Sequence, residues 1–570
     1  MSTAALNRQH ALTLVDTAIS AGVQHAVLSP GSRNTPLVLA LHARQQAGWP
    51  IVLHSVLDER AAGFFALGLA RRTDRPVLLS CTSGSAGANY FPAVTEASEG
   101  QVPLLIVTAD RPEELQDCGA PQTMAQDALF GAHVRFSATL SAPSEADTAS
   151  VAGTVRAAIA AAVGAAPGPA HINTRFRKPL WEPSDPDGAS LNPSPIVRLD
   201  RAPSEQDLDR LIAEVSNERG VIVLGPDPSG RLSSDTVTAL ATRLGWPVLS
   251  DPISTCRFGT EGPIVRHHDA LLRSAHFRDT AQHTMAIALG GTPSSRPVQE
   301  LLSRTPTIAI NGSGRHWDPF HQVTWTLDAD LAPVVAALSK RSINPAHPNW
   351  TAHWLHADAL AAAAIQDCCA DGLWEGSVAH HMVDVLPSGT LLRVASSTPI
   401  RDIDSFAVSC SRALTVSSNR GVNGIDGVIA TTLGEAMVHS GPTALLAGDL
   451  SFLHDIGALA SVSRPQQPVV VTVVDNAGGG IFGFLPIKDH QTAFEPWFVT
   501  PHTHDIPQIC RGFGIDCIQP ADLAEYREAL QTALSKPGLS VIHVRIDRQS
   551  STAAHHEAWT KISRHLEAAL

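Results

Sequence analysis

Gly448-Asp449-Leu450-Ser451 ends one apolar run, Thr443 to Ala447, and Asp475-Asn476-Ala477-Gly478-Gly479-Gly480 ends another, Pro468 to Val474. A helix-like stretch separates the two, so Asp449 and Asn476 are expected at neighbouring strand ends. Hard cations such as Mg²⁺ take oxygen ligands and often use only one or two protein groups plus phosphate oxygens. Asp449, Asn476 and the carbonyl of Gly478 would therefore suffice for a metal-diphosphate site, with glycines 478, 479 and 480 letting the backbone approach the ligand. Either half alone also fits a turn with a helix cap. The pair at this spacing, each half after its own strand, favours the site.

Working outward, the same grammar of a short β-rich apolar run followed by a helical pattern recurs in each third of the chain. Ala26 to Leu28, Val77 to Leu79 and Leu104 to Thr108 are the first set. Val221 to Leu224, Met285 to Leu289 and Thr307 to Ile310 are the second, and Leu391 to Ala395, Ala444 to Leu446 and Val469 to Val474 the third. Strands alternating with helices predict an α/β protein of three doubly wound domains with mainly parallel sheets. Pro-rich passages at Glu182 to Pro195 and Lys340 to Asn349 divide it into domains at 1–185, 196–340 and 350–570.

Ligands of such sheets bind at the carboxyl ends of the strands. Those ends carry Ser29-Pro30-Gly31-Ser32-Arg33-Asn34, Thr82 to Gly87, Thr108-Ala109-Asp110-Arg111-Pro112, Ser396-Ser397 before Arg401, and Ser418-Asn419-Arg420-Gly421. In the middle third, Gly225-Pro226-Asp227-Pro228 and Gly290-Gly291-Thr292 lack the GxGxxG spacing of a nucleotide loop, so a spacer domain is expected there. Arg296 is its one candidate contributor to a site.

A chain of 570 residues exceeds what a single core supports. Its 44% hydrophobic and 17% charged residues are those of a globular protein, and a net charge of −13 argues against a nucleic-acid partner. Acidic substrates would need local arginines. Eight scattered cysteines without a CxxC pair predict neither a zinc site nor a disulfide framework, and a reducing cytoplasm is expected. Met1 to His10 lacks the apolar core of a signal peptide, and no apolar run reaches the roughly 18 residues of a membrane span, so no membrane partner is expected.

His54 to Ala70 resembles the strand-to-helix segment by which thiamine diphosphate enzymes present a glutamate, here Glu59, to the cofactor's aminopyrimidine ring. Cys81 to Asn89 is similar to the loop that follows it in those enzymes. Essentially the whole chain resembles the 2-succinyl-5-enolpyruvyl-6-hydroxy-3-cyclohexene-1-carboxylate synthase family of menaquinone biosynthesis. Ser29 to Leu37, Thr108 to Leu115, Ser418 to Gly427, Gly448 to Ser451 and Gly480 to Pro486 carry the likeness. Leu450, where the superfamily usually has glycine, fits this family. Ser396 and Pro121 stand where relatives can carry asparagine, and neither is given a polar role.

The resemblance implies a thiamine diphosphate-binding fold, with thiamine diphosphate and Mg²⁺ (or Mn²⁺) as cofactors and 2-oxoglutarate and isochorismate as substrates. It places Glu59 on the pyrimidine, Ile425 under the bent cofactor, and Gly448, Asp449, Leu450, Ser451, Asn476, Gly478, Gly479, Ile481 and Phe482 around the diphosphate end. Ser397 and Arg401 match the family's positions for the 2-oxoglutarate carboxylate. Ser32, Arg33, Arg111 and Arg420 match those for isochorismate, Gln122 faces the reacting oxygens, and Ile481, Phe482 and Leu485 make an apolar wall. No histidine is carried over, so His54, His454 and the others are expected to be structural or solvated. A homodimer or homotetramer, with each site shared between subunits, is also implied. Another 2-oxoacid decarboxylase or carboligase of the superfamily stays open as the alternative. Retention of Glu59, Asp449 and Asn476 argues against an inert binding protein, and the missing GxGxxG argues against a nicotinamide dehydrogenase.

Overall fold

The computed structural model describes residues 1–143, 148–183, 190–227, 231–461 and 465–570. Part of the expected linker at 182–195, and Pro228 of the middle glycine loop, lie outside them. The chain divides into two compact units. The first comprises Met1–Leu199, Asn419–Ser440 and His454–Pro465, and the second comprises Asp200–Ser418, Gly441–Leu453 and Gln466–Leu570.

The first unit is built on a six-stranded sheet of β1 (His25–Leu28), β2 (Val52–Ser55), β3 (Val77–Cys81), β4 (Leu104–Asp110), β5 (Phe136–Leu140) and β6 (Pro169–Arg175), in the order β2-β1-β3-β4-β6-β5. Every pairing is parallel. Side chains alternate across a strand, and here both faces are dry. Ala26, Leu28, Leu78, Leu105 and Val107 join the core shared with the helices Thr3–Ser20, Thr35–Gln46 and Thr148–Ala162. Val27, Leu79, Leu104 and Ile106 are equally buried but lie outside that core, which accounts for the unbroken apolar runs in the sequence.

The helix Glu59–Thr73 starts at an Asp58 cap that accepts from the N–H groups of Arg60 and Ala61, and it buries every residue from Ala61 to Ala70. The helix Val428–Ala436, far downstream in sequence, packs against it. A Cβ on Gly68 would run into the Thr431 carbonyl, and one on Gly434 into the Phe65 carbonyl, so the two helices touch backbone to backbone.

The second unit holds two more six-stranded, all-parallel sheets. One contains β7 (Gly220–Leu224), β8 (Val248–Ser250), β9 (Ile264–Val265), β10 (Met285–Leu289), β11 (Thr307–Ile310) and β12 (Val323–Leu327), ordered β12-β11-β10-β7-β8-β9. The other contains β13 (Leu391–Val394), β14 (Thr415–Ser417), β15 (Thr443–Gly448), β16 (Pro468–Asp475), β17 (Asp516–Ile518) and β18 (Gly538–Arg545), ordered β14-β13-β15-β16-β18-β17. Trp350, Trp354 and Ala361 of the helix Pro348–Cys369, and Ala558, Ile562 and Leu566 of the helix Arg548–Ala569, enter the core of the middle sheet. The expected strands are present in all three sheets. The run read as Leu104 to Thr108 continues to Asp110, making Arg111 the first residue beyond β4. Among the described residues no helix is long and apolar enough to cross a membrane.

Candidate active site

In the last sheet, β15 and β16 run parallel with Gly448 level with Val474, so Asp449 and Asp475 leave neighbouring strands side by side. The Asp449 carboxylate is almost fully buried. Its Oδ1 accepts from the Leu450 N–H at 2.7 Å, and its Oδ2 accepts from the Gly478 N–H at 2.7 Å and lies 3.0 Å from His502 Nε2. Burial raises the Asp449 pKa, the neighbouring Asp475 adds to the rise, and the hydrogen bonds from Gly478 and His502 oppose it. Burial also works against the charge on Asp475, but His543 Nε2 at 2.7 Å and the Ala477 N–H outweigh it and hold that carboxyl low. Two buried carboxyls side by side, the charge of one disfavoured by burial and by the other, are an arrangement a cation would relieve.

Asn476 points its amide Nδ2 at Glu375 Oε1, 2.6 Å away, while its buried Oδ1 has no hydrogen-bond partner among the described residues. An orphaned buried acceptor costs free energy unless something outside the protein satisfies it. A Cβ on Gly448 would meet nothing within 4 Å, whereas one on Gly478 (φ +142°) would collide with the Val499 carbonyl. These residues fit a divalent cation with its diphosphate. The donors are oxygens, one is unsatisfied, and open space lies beside Gly448. Ser451 is buried next to Asp449, and Leu450 is half-buried.

Beyond β13, Ser397 holds a left-handed backbone (φ +75°) before the helix Thr398–Phe406, and Arg401 donates to the Ser397 carbonyl at 2.5 Å. Left-handed Ser397, Ala477 and Gln122 all sit at strand-end loops, where such strain is most often kept for function. From below, the Arg401 helix is fixed by buried Arg257, which donates to the Asp404 carbonyl at 2.8 Å, and by Ser405, which donates to Asp269 at 2.6 Å. Gly479, Ile481 and Phe482 lie in or beside the turn Gly480–Phe484, where the Phe482 ring meets Phe498 edge-on at 5.6 Å and Leu485 stays exposed.

In the first unit, Glu59 occupies the first position of its helix, half-buried, where the helix dipole favours a carboxylate. Arg33 is buried, donates its backbone N–H to Thr82 Oγ1, and donates from its guanidinium to the Phe176 carbonyl at 2.7 Å. Burial and the neighbouring Arg111 cation lower its pKa, against the pull of Asp110. Arg111 in turn donates to Ser83 Oγ and to Gln122 Oε1, the latter at 3.2 Å. The structure thus brings Arg33, Arg111 and Gln122 together at the carboxyl end of the first sheet. Ser32 is exposed, with its carbonyl accepting from Thr35 Oγ1.

Arg420 and Ile425 ride on a separate loop of the same unit. Buried Glu96 clamps this loop, accepting from the N–H groups of Gly421 and Val422 at 2.9 and 2.8 Å, and Arg71 bonds Asn419 Oδ1 at 2.9 Å. Arg296 stays on its own helix, exposed and paired with Glu300 at 3.0 Å.

Sequence reasoning missed Glu375, Glu96 and His502. His502 is half-buried, with its ring against Asp449 and close to Asp475. Their partners lie 101, 325 and 53 residues away, so no local spacing announces them.

Three family profiles match the chain. They are the thiamine pyrophosphate enzyme N-terminal TPP-binding domain over residues 9–129, the middle domain of thiamine pyrophosphate enzymes over 192–394, and the C-terminal TPP-binding domain over 408–544. The crystal structure of benzoylformate decarboxylase from Polynucleobacter necessarius matches with a TM-score of 0.71 over 95% of this chain and 98% of that one, at 16% identity, a likeness of fold alone. Among curated relatives, the 2-succinyl-5-enolpyruvyl-6-hydroxy-3-cyclohexene-1-carboxylate synthase of Geobacillus kaustophilus is 38% identical, with 98% of each chain covered. Its namesakes from Myxococcus xanthus and Rubrobacter xylanophilus are 36% and 38% identical, with 99% and 97% of each chain covered. With the strand-end carboxylate and amide in place and this similarity running nearly end to end, the chain belongs to the 2-succinyl-5-enolpyruvyl-6-hydroxy-3-cyclohexene-1-carboxylate synthase family of thiamine diphosphate enzymes.

Proposed function

We propose that this chain makes 2-succinyl-5-enolpyruvyl-6-hydroxy-3-cyclohexene-1-carboxylate by removing CO₂ from 2-oxoglutarate and adding the remaining four-carbon unit to isochorismate. The observation that carries the reading is the buried Asn476 Oδ1, left without a partner next to the Asp449 carboxylate at paired strand ends. When bound, thiamine diphosphate supplies the electron sink that lets a 2-oxoacid lose CO₂.

Asp449, Asn476 and the Gly478 carbonyl would hold Mg²⁺ or Mn²⁺, with Gly448, Leu450, Ser451, Gly479, Ile481 and Phe482 around the diphosphate. Glu59 would hold a proton at the pyrimidine nitrogen, and Ile425 would support the bent cofactor. Arg401 and Ser397 would orient the far carboxylate of 2-oxoglutarate, a task suited to a guanidinium fork. Ser32, Arg33, Arg111 and Arg420 would bind the carboxylates of isochorismate, Gln122 would bond the reacting oxygens, and Phe482 with Leu485 would exclude water.

The same reading assigns a pyrimidine domain to 1–185, a central domain to 196–340 and a diphosphate domain to 350–570. One complete site would take Glu59 from one copy and Asp449 from another, making a homodimer the minimum and a homotetramer a further option. Eight free thiols favour the cytoplasm.

Mixing the protein with thiamine diphosphate, Mg²⁺, 2-oxoglutarate and isochorismate should consume isochorismate and release CO₂ in equal amounts. Turnover with pyruvate but none with 2-oxoglutarate would move the chain to another carboligase activity.

A further inference from the structure

We infer that Glu375 is a positioning residue that decides which end of the Asn476 amide faces the cation. The inference rests on the proposed cofactor site. An asparagine can present either its oxygen or its NH₂ group, and only the oxygen can ligate a metal. Glu375 Oε1 accepts from Asn476 Nδ2 at 2.6 Å, and turning the amide over would set two oxygens against each other. Even when protonated, a carboxyl keeps one oxygen as an acceptor. With the NH₂ end engaged, Oδ1 must point the other way, and it is the atom found buried without a partner.

The surroundings hold this bond in one geometry. A Cβ on Gly480 would overlap Asn476 Nδ2 and come within 3.4 Å of Glu375 Oε1, so backbone lies directly over the bond. Glu375 Oε2 accepts from Ser551 Oγ at 3.1 Å, the same hydroxyl accepts from the Glu375 N–H at 3.3 Å, and His555 Nε2 lies 3.9 Å from the carboxylate. His555 Nε2 in turn bonds Asp402 Oδ1 at 2.8 Å. Asp402 follows Arg401 in the helix Thr398–Phe406, so the groups orienting the metal ligand also anchor the helix of the proposed 2-oxoglutarate arginine. Glu375, Asp402 and His555 lie close enough to hold a metal themselves, but their polar atoms are engaged with one another, with Asn476 and with Ser551. They act as supports of the ligand. Such supports typically account for 10- to 100-fold in metal affinity.

The test is Mn²⁺ titration of the full-length protein in saturating thiamine diphosphate, with free Mn²⁺ read by electron paramagnetic resonance. The proteins compared are wild type, Glu375→Gln, Asn476→Asp and the double variant, with folding checked by circular dichroism. Glu375→Gln can turn its own NH₂ toward Asn476, donate to Oδ1 and so favour the orientation that withholds that oxygen from the cation, and it should weaken Mn²⁺ binding roughly 10- to 100-fold. Asn476→Asp sets two carboxyls face to face and should also bind poorly. In the double variant the glutamine NH₂ can donate to the new carboxylate and leave its second oxygen for the cation. It should therefore bind Mn²⁺ at least about tenfold tighter than Glu375→Gln alone.

Glu375→Gln within twofold of wild type, or a double variant no tighter than Glu375→Gln, overturns the inference. Wild type that binds no Mn²⁺ with the cofactor present would sink the metal site and the inference together, whereas wild-type binding with purely additive losses sinks the inference alone. Should a variant at Asn476 fail to fold, Ser551→Ala decides. Loosening Glu375 in this way should weaken Mn²⁺ binding, and unchanged affinity would reduce Glu375 to a filler of the core.

Discussion

The middle and last sheets of the second unit share strand number and parallel direction but not strand order, and the loops at their strand ends differ in what fills them. In the middle sheet, a Cβ on Gly225 beyond β7 would collide with the Gly291 carbonyl beyond β10, one on Gly290 with the Pro226 carbonyl, and one on Gly291 with the Trp317 ring. The glycines there let the protein close on itself, leaving a cavity of about 30 Å³, room for little beyond water. In the last sheet Gly448 faces open space, and the groups beside it are an ionisable pair and an unsatisfied amide oxygen. A glycine at a strand end thus has two meanings, and only its surroundings tell a packing glycine from one that admits a ligand.

The largest expected effect is at Asp449, whose buried carboxylate follows the glycine that faces open space. Asp449→Ala should weaken cofactor and Mg²⁺ binding by more than about 100-fold, measured by calorimetry, with excess Mg²⁺ restoring it only in part. Unchanged affinity would erase the distinction between the two crevices. Alanine at the paired glycines sharpens it. Gly225→Ala should cost roughly 1 to 3 kcal/mol of stability through overpacking and leave intrinsic cofactor affinity alone. Gly448→Ala should keep the melting temperature while weakening the cofactor. Scans of thermal unfolding with and without thiamine diphosphate separate the two, and equal behaviour would contradict the comparison.

Acid supplies the smallest contrast and extends it to the first sheet. Burial lowers the pKa of His54 and of His171 to about 4 from an ordinary 6.5, with His25 adding to the fall at His54 and Asp127 opposing it at His171. Both histidines are neutral in the folded state, so their contribution is complete above pH 6.5 and is lost as pH falls from 6.5 toward 4. At pH 6.0 each should cost about 1 kcal/mol. At the edge of the middle sheet, burial likewise opposes the charge of His268, but Asp404 outweighs it and raises its pKa, so protonation favours the fold there. Amide exchange corrected for intrinsic rate should therefore show β2 and β6 loosening at pH 6.0 relative to 7.5 while the His268–Arg273 helix does not. Uniform loosening would assign the acid response to net charge instead.

The sheets were legible because parallel strands covered on both faces read as unbroken Val- and Ile-rich runs, as in Val469 to Val474. Asp449, Asn476 and Arg111 were legible because strand ends place chemistry at short, regular distances from such runs. Glu375 opens a helix in an unremarkable context, and its partner is 101 residues away. Pairwise encounters of that kind are created by folding and leave no period in the sequence. Nor does the grammar of strand and helix reveal that 419–440 belongs with the first sheet, since that allegiance depends on glycines at one helix crossing.

That crossing has a consequence for synthesis. On the Glu59–Thr73 helix the Phe64 ring is covered by Gly427 and the Phe65 carbonyl by Gly434, which leave the ribosome roughly 360 residues later. At about 5 to 20 residues per second, the nascent first sheet waits roughly 20 to 70 s before Gly427 can cover the Phe64 ring. For that interval the growing chain presents a greasy groove to chaperones, and a ribosome stalled before codon 427 would strand it in that state.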